Sequence, residues 1–333
     1  MSAFPSSRDR LLTRLADGRF HSGQALAADL GVSRAAIWKQ VRALQAHYGV
    51  KIDAVRGRGY RLAGAMELLN EQTIREQLSQ SAIRDLEEIR LLVTTDSTNE
   101  RALGDLPAQT GRAKVWLAEH QTGGRGRRGR EWVSTFGRNI YLSLAWRFDL
   151  PMAKLTGLSL AAGVAVAESL HARGMRGHTL KWPNDVLVDG SKLCGILLEV
   201  SGEADGPASA VIGIGLNFYL PSEVGGKIDQ AWTDLQRSCP VSISRNVLAG
   251  TIIDRVLSAC RDFSIDGLPS FADRWRDFDP LLGQRVRIVH GRLRVEEGIY
   301  RGIAPSGAMV LEGPDGLSEH HAGEISLRPT GEP

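Results

Sequence analysis

The chain has 333 residues, 42% hydrophobic and 24% charged, an ordinary globular balance in a chain too long for one average domain. Its formal net charge is +3, yet residues 1–65 hold 11 Lys and Arg against 4 Asp and Glu, a net of +7, which leaves −4 for the rest. That asymmetry excludes a uniformly basic protein and assigns a polyanion partner to the N-terminal part.

Cys194, Cys239 and Cys260 are widely spaced, so neither a disulfide framework nor a zinc site is expected. The setting expected is reducing and cytoplasmic, without a signal peptide or a membrane partner. The apolar segment Leu155–Leu170 carries Thr156, Ser159, Glu168 and glycines, and reads as a buried core helix.

In chain order, Leu11, Leu12 and Leu15 share one face of a helix over 8–17. A second helix over 23–30 ends at Gly31. Ser33 then stands as N-cap of a third helix over 34–48. Ile37, Val41, Leu44 and Tyr48 line one side of it; Arg34, Lys39, Gln40 and Arg42 line the other. Strands over 50–55 and 60–62 follow, with Arg56-Gly57-Arg58-Gly59 at the tip between them. This is a winged helix-turn-helix, and Ser33, Arg34, Lys39, Arg42, Arg56 and Arg58 are its candidate DNA-contacting residues. The competing reading is a structural or protein-binding winged helix.

Residues 63–65 read as a linker and 71–79 as a helix. A strand from Ile89 leads into Ser97, Thr98 and Asn99, whose polar groups either cap the helix over 100–106 or face a small polar ligand. A strand over 115–119 delivers Gln121 and then Gly123–Arg130, four glycines and four arginines in eight residues, with Trp132 just beyond. Glycine permits close backbone approach and arginine supplies forked, always-charged donors, so this stretch reads as an anion-gripping loop. An RGG-like tail or a solvated turn stays open on the stretch alone.

Further on, a strand over 139–146, a helix over 154–173, a hairpin signal at Asp189-Gly190, strands over 192–200 and 209–219, and helices over 244–264 and 269–278 predict a mixed α+β sheet. Gly213 and Gly215 inside the 209–219 strand suggest close approach of another group. From Leu281 the pattern becomes short strands over 285–289, 295–303, 308–311 and 324–327, a small all-β barrel.

Gly124-Arg125-Gly126-Arg127-Arg128-Gly129-Arg130, Lys181-Trp182-Pro183-Asn184-Asp185, Lys192-Leu193-Cys194-Gly195-Ile196-Leu197 and Gly213-Ile214-Gly215-Leu216-Asn217 occur in that order. Together they closely resemble the bacterial biotin–protein ligases, and the N-terminal winged helix resembles the bifunctional type that is also the biotin repressor. The resemblance implies an α+β multidomain chain. Residues 1–64 would be the DNA-binding winged helix, 65–278 a class II synthetase-like biotin- and ATP-binding domain, and 279–333 an SH3-like β-barrel.

It also implies residue roles. Ser97, Thr98, Gln121, Gly124, Arg125, Arg127, Lys192, Gly195 and Gly213 would line the biotin site. Arg127, Arg128, Arg130, Trp132, Asn184, Asp185, Asn217 and Arg328 would face ATP or the adenylate. Lys192, Arg127, Arg125 and Asp185 would be catalytic, Asp185 either holding Mg²⁺ or accepting a proton. The expected partners are biotin, MgATP, the biotin carboxyl carrier protein of acetyl-CoA carboxylase and operator DNA of biotin genes, with a homodimer on the DNA. A ligase with a vestigial winged helix and a lipoate–protein ligase are the alternatives. Thr122, Glu131, Cys194 and His320-His321 depart from the family pattern; the histidine pair reads as surface.

The chemistry fits what is missing as well. There is no G-x-S-x-G elbow, H-E-x-x-H or Walker loop, so phosphate binding falls to the Gly/Arg loop. Adenylation joins two anions, so it needs fixed cations more than acid–base groups.

Overall fold

The computed structural model describes residues 7–203, 205–226, 228–290, 294–321 and 325–329. The N-terminal unit holds helices α1 (Ser7–Leu15), α2 (Gly23–Leu30) and α3 (Arg34–Tyr48), then strands β1 (Ile52–Val55) and β2 (Gly59–Leu62). Local chemistry sets these boundaries. The Ser22 and Ser33 hydroxyls accept from Ala25 N and Ala36 N, and Gly31 ends α2 at φ +66°. Leu11, Leu12, Leu15, Leu26, Ile37, Val41 and Leu44 form the core between the helices. β1 and β2 pair antiparallel as a hairpin beside them.

The helix read over 71–79 is shorter, α4 (Glu71–Arg75), and a separate helix, α5 (Gln80–Asp85), follows it. Ser79 caps the second, its hydroxyl accepting from Ala82 N at 3.2 Å. The central unit continues with β3 (Leu86–Thr95), α6 (Thr98–Leu103), β4 (Ala113–Gln121), β5 (Ile140–Arg147) and α7 (Leu158–Ala172). After α7 come β6 (His178–Lys181), β7 (Asp185–Val188), β8 (Ser191–Gly202), β9 (Ala208–Leu216), the short α8 (Ser222–Gly225) and α9 (Leu235–Ser238), then α10 (Arg245–Asp266) and α11 (Ala272–Arg276). Helix α7 starts four residues later than expected, because Gly157 at φ +89° breaks it from a 3-10 turn at Met152–Leu155.

Seven strands form one sheet in the order β3-β4-β5-β9-β8-β7-β6, parallel between β3 and β4 and antiparallel elsewhere. Side chains alternate across it. Val115 and Leu117 of β4, Leu142 and Leu144 of β5 and Ile212 and Ile214 of β9 join the core with α7 and α10. On the opposite face Trp116, Ala145 and Val211 pack against Ala102 of α6. By length and composition Met152–Ala172 would suffice to cross a membrane, but 67% of that stretch is buried inside the molecule. It is the sheet's covering helix.

The C-terminal unit contains β10 (Arg285–His290), β11 (Arg294–Ile303), β12 (Met309–Gly313), β13 (Gly316–His320) and β14 (Ile325–Pro329). They form an antiparallel five-stranded sheet in the order β13-β12-β11-β10-β14. Strand β13 was not expected. Val286, Ile288, Tyr300, Met309 and Leu311 belong to the same apolar cluster as α7 and α10, so this sheet is packed onto the central unit.

Candidate active site and basic surface

The site lies on the α6 face of the central sheet, and strand alternation explains why. Ser143 of β5 pairs with Gly213 of β9, Gly213 with Leu197 of β8, Gly215 with Gly195, and Gly195 with Asp185 of β7. These register positions point the same way as Trp116 and Ala145. The C-terminal ends of β3 and β4 bring Ser97 and Gln121 to this face.

Ser97 is buried and its hydroxyl does not cap α6, which removes the capping explanation for it. The Gln121 Oε1 accepts from Thr98 N at 2.8 Å and Thr98 Oγ1 at 3.1 Å. Ser143 Oγ lies 2.7 Å from Thr98 Oγ1 and 2.5 Å from Asn99 Oδ1, and Asn99 Nδ2 donates to Glu199 Oε2 at 2.7 Å. Glu199 in turn accepts from Arg125 Nη2 at 3.1 Å, and Glu100 pairs with the same nitrogen at 2.7 Å. A buried polar chain therefore joins Gln121 to the Gly/Arg loop. Ser143, Glu100 and Glu199 are its unanticipated members, while Asn99, read as a cap or a ligand contact, links Ser143 to Glu199. A carboxylate at Glu199, in phase with Gly195 on an otherwise apolar strand face, was the available signal for one of them.

The Gly/Arg stretch is a folded hairpin. Trp132 N donates to Gly124 O at 2.9 Å and Gly126 N to Arg130 O at 2.7 Å. Its tip is a 3-10 turn, Arg127–Gly129, with Arg128 in the left-handed region at φ +59°. Arg127 Nη1 donates to Asn184 Oδ1 at 3.1 Å, while Asn184 Nδ2 donates to Ile196 O at 2.6 Å. Burial first, and then the charge on Arg128, lower the Arg127 pKa below the usual guanidinium value; Asp185 opposes this. Arg128 and Arg130 are exposed beside it.

Lys192 Nζ lies 2.8 Å from Asp185 Oδ1 and 5.6 Å from the Trp132 ring centre. The Trp132 indole rests on bare backbone. A Cβ on Gly215 would come within 2.5 Å of it, and one on Gly195 within 3.0 Å. A Cβ on Gly213 would lie 2.2 Å from Asn99 Oδ1. The glycines thus admit Trp132 and Asn99 against the sheet. Trp132 Nε1 is buried without a hydrogen-bond partner among the described residues, and Asp185 Oδ1 accepts no well-directed hydrogen bond. Among the described residues Trp132 Nε1 is thus the polar atom of the site left without a partner, whereas Asp185 Oδ1 is held by the Lys192 ammonium.

Asn217 sits behind this surface. Its Nδ2 donates to Thr233 O at 3.1 Å, and its N donates to Leu193 O, so it braces the chain around Lys192. Arg328 of β14 pairs in register with Arg287 of β10, but its side chain lies outside the described residues. Burial pushes the Cys194 thiol pKa up, consistent with an inert core residue. The histidine pair divides: His321 is exposed, but His320 is buried and bonds to Ser318 Oγ at 2.9 Å, correcting the surface reading for that residue. No group of three or more His, Cys, Asp or Glu suited to a metal occurs among the described residues.

On the N-terminal unit, Arg34, Lys39, Arg42, Arg56 and Arg58 are exposed and Ser33 caps α3. Arg58 and Arg61 stack on the Phe20 ring at 4.1 and 4.7 Å, tying the wing to the helices. The far end of α3 docks on the central unit. The Tyr48 hydroxyl donates to Asp9 Oδ1 at 2.9 Å and lies 2.9 Å from Thr94 Oγ1, while its ring meets His120 and Phe136. His120 immediately precedes Gln121, so the recognition helix abuts the strand that carries the site.

Three family models match the chain: an HTH domain over residues 8–61, the biotin/lipoate A/B protein ligase family over 91–217 and a biotin protein ligase C-terminal domain over 281–328. A Salmonella typhimurium protein described as the bifunctional ligase/repressor BirA is 38% identical over 96% of both chains. The Bacillus subtilis protein of that description is 32% identical over 94% of this chain and 95% of its own. Among solved structures, the Aquifex aeolicus biotin protein ligase in complex with biotin and ATP aligns with a TM-score of 0.61 at 26% identity, covering 73% of this chain and all of that one. Identity at that level along nearly the whole length means that this chain belongs to the biotin/lipoate protein ligase family, among the bifunctional ligase/repressors.

Proposed function

We propose that this protein activates biotin with ATP and transfers it to a lysine of the biotin carboxyl carrier protein of acetyl-CoA carboxylase. Its N-terminal unit acts as a repressor on operator DNA of biotin genes, with biotinyl-5′-AMP as corepressor. The observation carrying the ligase reading is the meeting of Lys192, Asp185, Asn184, Arg127 and Trp132 over the glycines of β8 and β9, in a chain whose relatives are named ligases.

In the first step the biotin carboxylate attacks the α-phosphorus of ATP and pyrophosphate leaves. Lys192 and Arg127 offset the charge that builds on the phosphoryl oxygens, and Arg128 and Arg130 hold the outer phosphates. Trp132 supplies an aromatic face for the adenine. Ser97, Thr98 and Gln121 hydrogen-bond the ureido ring, Gly124 and Gly213 give backbone approach to biotin, and Gly195 lies beside Lys192. Arg125, with its carboxylate partners, positions the loop over the carboxyl tail. Asn217 holds the 231–233 segment beside Lys192, and Arg328 reaches toward the nucleotide. In the second step the acceptor's lysine amine attacks the acyl carbon and AMP leaves, so no protein nucleophile is required.

Mg²⁺ fits Asp185, since this ion is usually held by one or two carboxylates together with substrate phosphates. Its Oδ1 faces the Lys192 ammonium at 2.8 Å, so the ion would share this carboxylate with Lys192. When bound there, Mg²⁺ neutralises phosphate charge.

We further infer domain limits of 1–64, 65–278 and 279–333, a class II synthetase-like core and an SH3-like terminal barrel. The order of the five antiparallel strands, with β14 returning beside β10, supports the last. Cytoplasmic residence and a homodimer on paired half-sites complete the reading.

The test is direct. Full-length protein, MgATP and apo carrier protein are incubated with biotin or lipoate, and the acceptor is weighed by mass spectrometry. A biotin-sized increase is expected; none, or a lipoyl-sized one, overturns the assignment. For the repressor, a gel shift on the protein's own biotin-gene promoter should require biotin plus ATP.

A further inference from the structure

We propose that Trp38 is a specificity-determining residue of the DNA-reading helix, packing its indole on the 5-methyl group of a thymine in the major groove. The proposal rests on the DNA-binding reading above and adds the base it recognises.

Helix α3 has two faces. Ile37, Val41 and Leu44 are buried in the N-terminal core. Arg34, Trp38, Lys39 and Arg42 are exposed, and the helix contains no acidic residue. Trp38 is 50% exposed in the midst of those cations, and the Arg42 guanidinium lies 5.2 Å from its ring centre. No other tryptophan is among the exposed large hydrophobic residues of the described chain. It occupies the fifth position of α3, near the end from which recognition helices usually contact bases.

The chemistry of the surroundings selects the occupant. Three cations and no carboxylate repel the same face of a second copy but match a polyanion. The cations can bind phosphate in any sequence, so they carry no base information themselves. An apolar plate set among them has a matching group in the major groove only where a thymine presents its methyl. Arg42, held over the ring, is then placed for a neighbouring base edge or phosphate.

The experiment uses the full-length protein with biotin and MgATP. Duplexes are enriched from a random-sequence library, and each thymine of the winning duplex is replaced in turn by deoxyuridine, which lacks only the methyl. Affinities for wild type, Trp38→Ala and Trp38→Phe are measured by fluorescence anisotropy at several salt concentrations. Wild type should lose about five- to tenfold at one thymine position, within the range one base pair contributes. Trp38→Ala should show that loss already on the unmodified duplex and ignore the replacement. Trp38→Phe should keep part of the sensitivity, and all three should share one salt slope, because no charge is changed.

Indifference of wild type to every replacement would overturn the proposal. So would a Trp38→Ala protein with full operator affinity, or with undiminished methyl sensitivity. A change in sedimentation of Trp38→Ala with methyl sensitivity intact would assign the residue to a protein contact instead. Should no sequence be enriched at all, the DNA-binding reading itself fails, and the proposal with it. Carrier-protein labelling by each variant, expected unchanged, verifies that the fold is intact.

Discussion

Two stretches of this chain share a composition and differ in everything else. Arg56-Gly57-Arg58-Gly59 forms the wing tip, and Gly123–Arg130 forms the hairpin over the central sheet. At the wing both arginines are exposed, and no carboxylate pairs with either among the described residues. In the hairpin, Arg125 is held by Glu100 and Glu199, and the half-buried Arg127 by Asn184. A surface that meets a long polyanion benefits from cations left to solvent, since counterion release drives binding. A site that grips one small anion needs cations of defined position, and that requires partners in the protein. Counter-charges and burial separate the two roles; arginine and glycine content does not.

The comparison can be broken most severely at the chemistry. Lys192→Ala should slow adenylate formation on the order of 100- to 1,000-fold, as loss of one preorganised charge-stabilising group does. Pyrophosphate release measures this, and operator binding by separately supplied biotinyl-5′-AMP should persist. Unchanged pyrophosphate release would remove Lys192 from its role.

A crossed pair of variants comes next. Arg127→Ala should lower carrier-protein labelling by about tenfold or more, on the scale of a lost charge-assisted bond. It should leave the salt dependence of DNA binding alone. Arg58→Ala should do the reverse, weakening binding to all duplexes and reducing the salt slope by about 1. If both variants impair both activities equally, the division between the two stretches is wrong.

Smaller is Gly213→Ala. The added Cβ would fall on Asn99 Oδ1 and force apart the Ser143–Asn99–Glu199 chain that supports Arg125. Overpacking of this kind costs about 1–3 kcal/mol. Urea denaturation of the variant reads that cost, and a midpoint equal to wild type would show that Asn99 yields freely.

The mildest effect is expected between the two regions. Burial first, with His47 nearby, lowers the His120 pKa from 6.5 to about 4. Within that window the unfolded chain binds a proton that the folded chain does not, so stability falls as pH drops from 6.5 toward 4. His120→Phe should flatten the thermal-melting profile over that range. An identical slope in both proteins would locate the acid sensitivity elsewhere.

How much was readable from the residues depended on whether the signal was local. Helix α3 was expected over 34–48 and occurs there, because Ser33 caps its start, Gly49 ends it in the left-handed region and its apolar spacing is regular. The motifs around Lys181, Lys192 and Gly213 are contiguous runs, and a common site was expected from their resemblance to a known family. Strand β13 was missed since Gly316–His320 has four exposed residues of five and offers no buried periodicity. The helix read over 71–79 ends at Arg75 instead, and Ser79 caps a separate helix whose Ala82 joins Ile74 in the core.

The sequence by itself determined the family, the winged helix-turn-helix and the identities of the charged and glycine-rich motifs, since these rest on capping, periodicity and contiguous residues. The tertiary structure decided which partners those residues have. Asn99, Ser143 and Glu199 are joined into one chain, Trp132 is laid on Gly195 and Gly215, Asn217 is turned to brace Lys192, and Tyr48 is set against His120. The reason is physical: these contacts join residues distant in sequence, and they arise only when strands pair in register and present alternate side chains to one face, or when a helix docks on the sheet.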